Sequence, residues 1–124
     1  MATLTIIFIY LQLILGAAVR HTESNPAVVL HIVNALLVVI HIFLLVKRIV
    51  YNHGHDRILN RAALTLGLLT LFQIFLGIGS FIFTRILEKG YAPSFARVVT
   101  TAAHQTTGAL ILGCAFLIFL KVRK

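Results

Sequence analysis

Four stretches of this chain, 2–19, 27–46, 62–84 and 98–120, contain no charged residue. An α-helix rises about 1.5 Å per residue, so each stretch is close to the roughly 20 residues that cross a hydrocarbon core about 30 Å thick. The predicted fold is therefore all-α: an integral membrane up-down four-helix bundle forming a single transmembrane domain over 1–124. A composition of 60% hydrophobic against 11% charged residues belongs in a bilayer rather than in water. The longest connection, 47–61, is too short to bury a core of its own, which excludes a separate soluble catalytic domain. Any chemistry must take place inside the bundle or at its rims. The first span lacks a basic leader and carries Gln12, so it reads as a retained helix rather than a cleaved signal.

An even number of spans puts both termini on the side of the 47–61 loop. That side carries Lys47, Arg48, Arg57, Arg61, Lys121, Arg123 and Lys124, and the opposite side Arg20, Arg85, Lys89 and Arg97, partly offset by Glu23 and Glu88. The bias predicts a multi-pass protein of the cell (inner) membrane with both termini cytoplasmic. On this reading the net charge of +8 is an orientation signal, which predicts membrane lipid and not nucleic acid as a partner. Cys114 is the single cysteine and lies inside the last span, so there is neither a disulfide framework nor a CxxC motif.

The spans contain a repeat. Leu11-Gln12-Leu13-Ile14-Leu15-Gly16 matches Phe72-Gln73-Ile74-Phe75-Leu76-Gly77, and His31 followed by Ala35-Leu36 matches His104 followed by Gly108-Ala109. The bundle is thus predicted to consist of two repeated helical hairpins, each reading QxxxG, loop, HxxxSmall. Parallel repeats in membranes are commonly related by an axis along the membrane normal, which sets His31 opposite His104. At about 1.5 Å per residue, His31 lies about 6–8 Å and His104 about 9 Å inside the outer ends of their spans. In an up-down bundle these two helices are diagonal neighbours.

Two histidines at one level on facing helices match the axial ligand pair of a low-spin heme, so His31 and His104 are the candidate iron ligands. Ala27, Ala35 and Gly108 are small enough to let a macrocycle approach, and Gly16 and Gly77 can clear its edges. Asn34 and Thr101 can hydrogen-bond a ligating ring or a porphyrin substituent. The competing reading makes both histidines polar glue between helices, satisfied by Gln12, Gln73, Asn34 or a threonine. A proton path or non-heme metal is a third; zinc or non-heme iron lacks a carboxylate or thiolate at that level. His41 lies about 15 Å deeper than His31 and about 80° off its face, and reads as interfacial or interhelical. His53 and His55 read as solvated loop histidines.

Gly16-Ala17-Ala18-Val19-Arg20-His21-Thr22-Glu23-Ser24 resembles the end of an odd-numbered helix in the heme A synthase family, and the TAAHQTTGALIL stretch around His104 resembles a later axial-histidine helix of that family. Full-length members are two fused four-helix bundles, one holding a heme b cofactor and the other the heme O substrate. The resemblance covers this chain as one such half. It implies His31 and His104 as axial ligands, heme b as cofactor with heme O or heme A as substrate or product, and Arg20 and His21 at the outer rim near the propionates. The substrate half carries a glutamate where this chain has Val28, and the family's outer-loop cysteine pairs are missing, so the likeness is to the cofactor half. It further implies a role in oxidising heme O to heme A, in a homo-oligomer or a larger heme-biosynthesis complex. The same two ligands also suit an electron-transfer or anchor subunit of a respiratory complex, and the glue reading suits a heme-free assembly subunit.

Overall fold

The computed structural model describes residues 1–22, 24–88 and 91–123. It is all-helical: α1 spans Ala2–Thr22, α2 Asn25–Asn52, α3 Arg57–Phe81 with a π-helical continuation Ile82–Leu87, and α4 Phe95–Val122. Each of the four is long and apolar enough to cross a membrane. α2, α3 and α4 begin ahead of their charge-free stretches because their N-cap residues lie before them. The Ser24 hydroxyl accepts from the Ala27 N–H with Pro26 in the first turn of α2, the Asp56 carboxylate accepts from the N–H groups of Ile58 and Leu59, and the Ser94 hydroxyl accepts from that of Arg97. Arg20 and His21 sit on the last turn of α1 instead of in a loop.

Each helix packs on two others in the cyclic order α1, α2, α3, α4, most extensively within the α1–α2 and α3–α4 hairpins, and the pairs α1/α3 and α2/α4 are diagonal. The chain ends and the α2–α3 loop share one end of the bundle. There the Arg48 guanidinium lies 3.9 Å from the Met1 sulfur, and Lys121 Nζ pairs with the Asp56 carboxylate at 3.2 Å. Of the charges used for orientation, Glu23, Lys89 and Lys124 lie outside the described residues.

The core occupies only this terminal half. Ile9 on α1, Val38, Ile42, Leu45 and Ile49 on α2, Leu59, Ala63 and Leu66 on α3, and Ile111, Ala115 and Ile118 on α4 are all buried. Their three- and four-residue spacing puts each set on one stripe of its helix. The buried set ends at a layer of Asn34, Thr70, Thr107 and Gly108. Beyond it, none of the described residues in 10–33 or 71–106 is buried. The loop half of the bundle therefore keeps partly exposed side chains between its helices.

At that loop end Glu88 closes the π-helical turn and anchors the start of α4. Its carboxylate accepts from both the hydroxyl and the backbone N–H of Ser94, while its carbonyl accepts from Arg97 at 3.2 Å. The Ser94 hydroxyl, then the Ser94 N–H, and more weakly the Arg97 charge hold the carboxyl below the usual glutamate range. A depressed carboxylate contributes stability above its unfolded value and loses it as pH falls through the folded one. Detergent-solubilised protein is therefore expected to lose melting temperature below about pH 4.5. Glu88→Gln should flatten that acid limb, and an unchanged slope in the variant would assign the loss elsewhere.

A candidate bis-histidine site

His31 on α2 and His104 on α4 meet across the bundle diagonal, immediately above the layer where the core ends. Their ring centroids are 6.4 Å apart and their planes cross at 76°. Both rings are half-buried. Each is held from the neighbouring helix in the same manner. Gln12 Nε2 donates to the His31 carbonyl at 3.0 Å, and Gln73 Nε2 donates to the His104 carbonyl at 2.9 Å. One turn further, a Cβ built on Gly16 would stand 3.3 Å from His31 Cε1, and one on Gly77 would stand 3.0 Å from His104 Cε1. The two QxxxG stretches are thus one device used twice: the glutamine ties the hairpin together at the histidine, and the glycine on the same helix face leaves room for the imidazole. In sequence these glycines look suited to clearing porphyrin edges; in the structure they lie against the histidine rings themselves.

The halves differ in what surrounds the glutamine. Asn34 Nδ2 donates to the Phe8 carbonyl at 3.0 Å and to Gln12 Oε1 at 2.7 Å, and the Gln12 amide nitrogen then stands 3.1 Å from both ring nitrogens of His31. The two backbone carbonyls, Phe8 and His31, fix which end of each amide is nitrogen. Asn34 thus acts on Gln12, not directly on the His31 ring. Adding the His spacing of 73 to Asn34 leads to Thr107, and among the described residues Gln73 Oε1 and His104 Nδ1 are buried with no hydrogen-bond partner.

The remaining candidates fall around this centre. The Thr101 hydroxyl donates to the Arg97 and Val98 carbonyls of its own helix, so it is satisfied without the His104 ring. Gly108 is buried at the bundle centre, where a Cβ would meet Gln73 Nε2 and Leu13 Cδ2, each at 3.2 Å; it makes room for the glutamine and for α1. Arg20 Nη1 donates to Gln105 Oε1 at 2.9 Å, tying α1 to α4 one residue past His104, while His21 is exposed at the end of α1. His41 stays apart, its Nδ1 2.9 Å from the Leu37 carbonyl and its ring 4.6 Å from that of Phe8. Sequence reading missed the Asn34–Gln12 relay and the Arg20–Gln105 link. The mismatch of Asn34 with Thr107 between the repeats was the available signal for the first.

The spacing of the imidazoles has a chemical meaning. A metal–imidazole bond is about 2.0–2.1 Å and a ring nitrogen lies about 1.1 Å from its centroid, so one ion midway between two rings sets the centroids about 6.3 Å apart. Among the described residues no three His, Cys, Asp or Glu side chains come together. Two imidazoles at that separation, with no third such side chain beside them among the described residues, match the number and kind of donors a heme iron takes from a protein. The residues present are compatible with that group: two imidazoles on diagonal helices, a buried His104 nitrogen without a partner, and a loop half in which none of the described residues is buried as a whole. No family profile, curated protein or solved structure matches the chain.

Proposed function

We propose that this chain is a membrane-embedded b-type heme protein in which His31 and His104 are the axial ligands. The observation that carries the reading is the 6.4 Å separation of two rings contributed by diagonal helices, just where core packing stops. Supporting it are the repeated glutamine and glycine that set each ring's height and clearance. The basic residues of the core-free end, Arg20, Arg85 and Arg97, are of the sign that attracts propionates, and the protein is inserted with its termini in the cytoplasm. A bis-imidazole heme supplies one-electron chemistry. The chain's residues orient the imidazoles, exclude water from the terminal half and hold the two hairpins in register. On the resemblance to the heme A synthase family the site would take part in the oxidation of heme O, in an oligomer or beside a second half; electron transfer within a respiratory complex would use the same site.

A reduced-minus-oxidised visible spectrum and a pyridine hemochrome of protein purified from heme-replete cells test the reading. A b-type spectrum near one heme per chain is expected. A heme O-accumulating host that gains heme A on expression would assign the synthase role and argue against electron transfer alone. The Gln12 amide against both His31 nitrogens favours a second reading, polar glue between α1 and α2, which predicts a colourless protein.

A further inference from the structure

The repeat is imperfect at the one place where it bears on ligand strength. A metal-bound imidazole keeps a proton on its remote nitrogen and donates it to an acceptor, which orients the ring and raises its basicity. At His104 the partners are complementary: Nδ1 is buried and unpaired, and the Gln73 amide, pinned through its nitrogen to the His104 carbonyl, has a buried, unpaired oxygen. A bridging water is one way such a donor and such an acceptor on neighbouring helices are satisfied together. At His31 the arrangement is reversed. Asn34, pinned to the Phe8 carbonyl, takes the Gln12 oxygen and leaves the amide nitrogen over the face of the ring, 3.1 Å from both of its nitrogens. With its oxygen engaged by Asn34, Gln12 does not offer the remote N–H of a ligated His31 the acceptor that Gln73 offers at His104.

Resting on the heme reading above, we infer that the two axial positions are inequivalent, with His104 the firm ligand and the His31 side an exchangeable position open to a small neutral diatomic ligand. Asn34 is the positioning residue, acting through Gln12, and Thr107 is its counterpart in the half that lacks the relay. Exchange breaks the bond from His31 and forms one to the incoming ligand, with no change in electron count.

The test is carbon monoxide titration of the dithionite-reduced, heme-loaded protein, followed by its visible spectrum. Wild type is expected to bind carbon monoxide. Asn34→Thr, which releases the Gln12 oxygen and makes the first half like the second, should weaken binding about tenfold, the scale of one hydrogen bond. Thr107→Asn is of similar volume and places an amide at the position equivalent to Asn34, beside Gln73; it should strengthen binding by a similar factor. These opposite signs separate ligand control from general damage, and Thr107→Asn decides alone if Asn34→Thr does not accumulate. A heme-loaded wild type that binds no carbon monoxide, or variants that do not move in opposite directions, overturns the inequivalence while leaving the heme site standing. A protein without heme overturns both.

Discussion

His104→Ala is expected to yield protein with less than about a tenth of the wild-type heme, since loss of outer partners alone costs 10–100-fold in metal affinity and loss of a ligand costs at least as much. His31→Ala should also lose the bis-imidazole spectrum, with any residual heme held by His104 alone. Neither side chain belongs to the packed core, which ends one layer below them, so both variants should keep their helical content and accumulate normally. Circular dichroism alongside the hemochrome separates loss of ligand from loss of fold. Retention of the wild-type spectrum by either variant would remove that histidine from the iron.

Gly77→Val is the second large effect. A Cβ alone would already stand 3.0 Å from His104 Cε1, tighter than nearly all real Cβ contacts, and the branched side chain extends the crowding over a ring whose backbone carbonyl is pinned by Gln73. Overpacking of this kind costs about 1–3 kcal/mol where the structure cannot yield, and here the part able to yield is the imidazole. The expected result is loss of the heme spectrum together with a lower melting temperature. Gly16→Ala is the control. Its Cβ at 3.3 Å from His31 Cε1 asks for a shift of a few tenths of an ångström, against a gain of about 1 kcal/mol in helix propensity, so stability should change little. Equal effects at the two glycines would contradict the difference in clearance.

The parts of this fold legible in sequence are those set by transfer free energy and helix geometry. Charge-free runs locate the helices because a charge inside a span is costly, and rise per residue puts His31 and His104 at one level because depth depends only on counting. The repeat was legible because Gln12, Gly16, Gln73 and Gly77 keep their spacing. Side-chain direction was not. Gly108 reads as clearance for a macrocycle until the rotation of α4 turns it toward Gln73 and Leu13, and Asn34 reads as a ring partner until the closeness of α1 gives it Gln12 and the Phe8 carbonyl. Helix ends were also short by a few residues, since Ser24, Asp56 and Ser94 cap beyond the apolar runs and the runs alone do not mark them. The termination of the core at the histidine layer depends on how all four helices pack, which no single span contains.

The most direct test of the central claim, two imidazoles on one iron, is low-temperature electron paramagnetic resonance of the oxidised protein as purified. Rings whose planes cross at 76° predict a low-spin ferric signal of the strongly anisotropic kind produced by crossed axial imidazoles, at one heme per chain. A high-spin signal from the intact protein, or a low-spin signal that survives unchanged in His104→Ala, would contradict it.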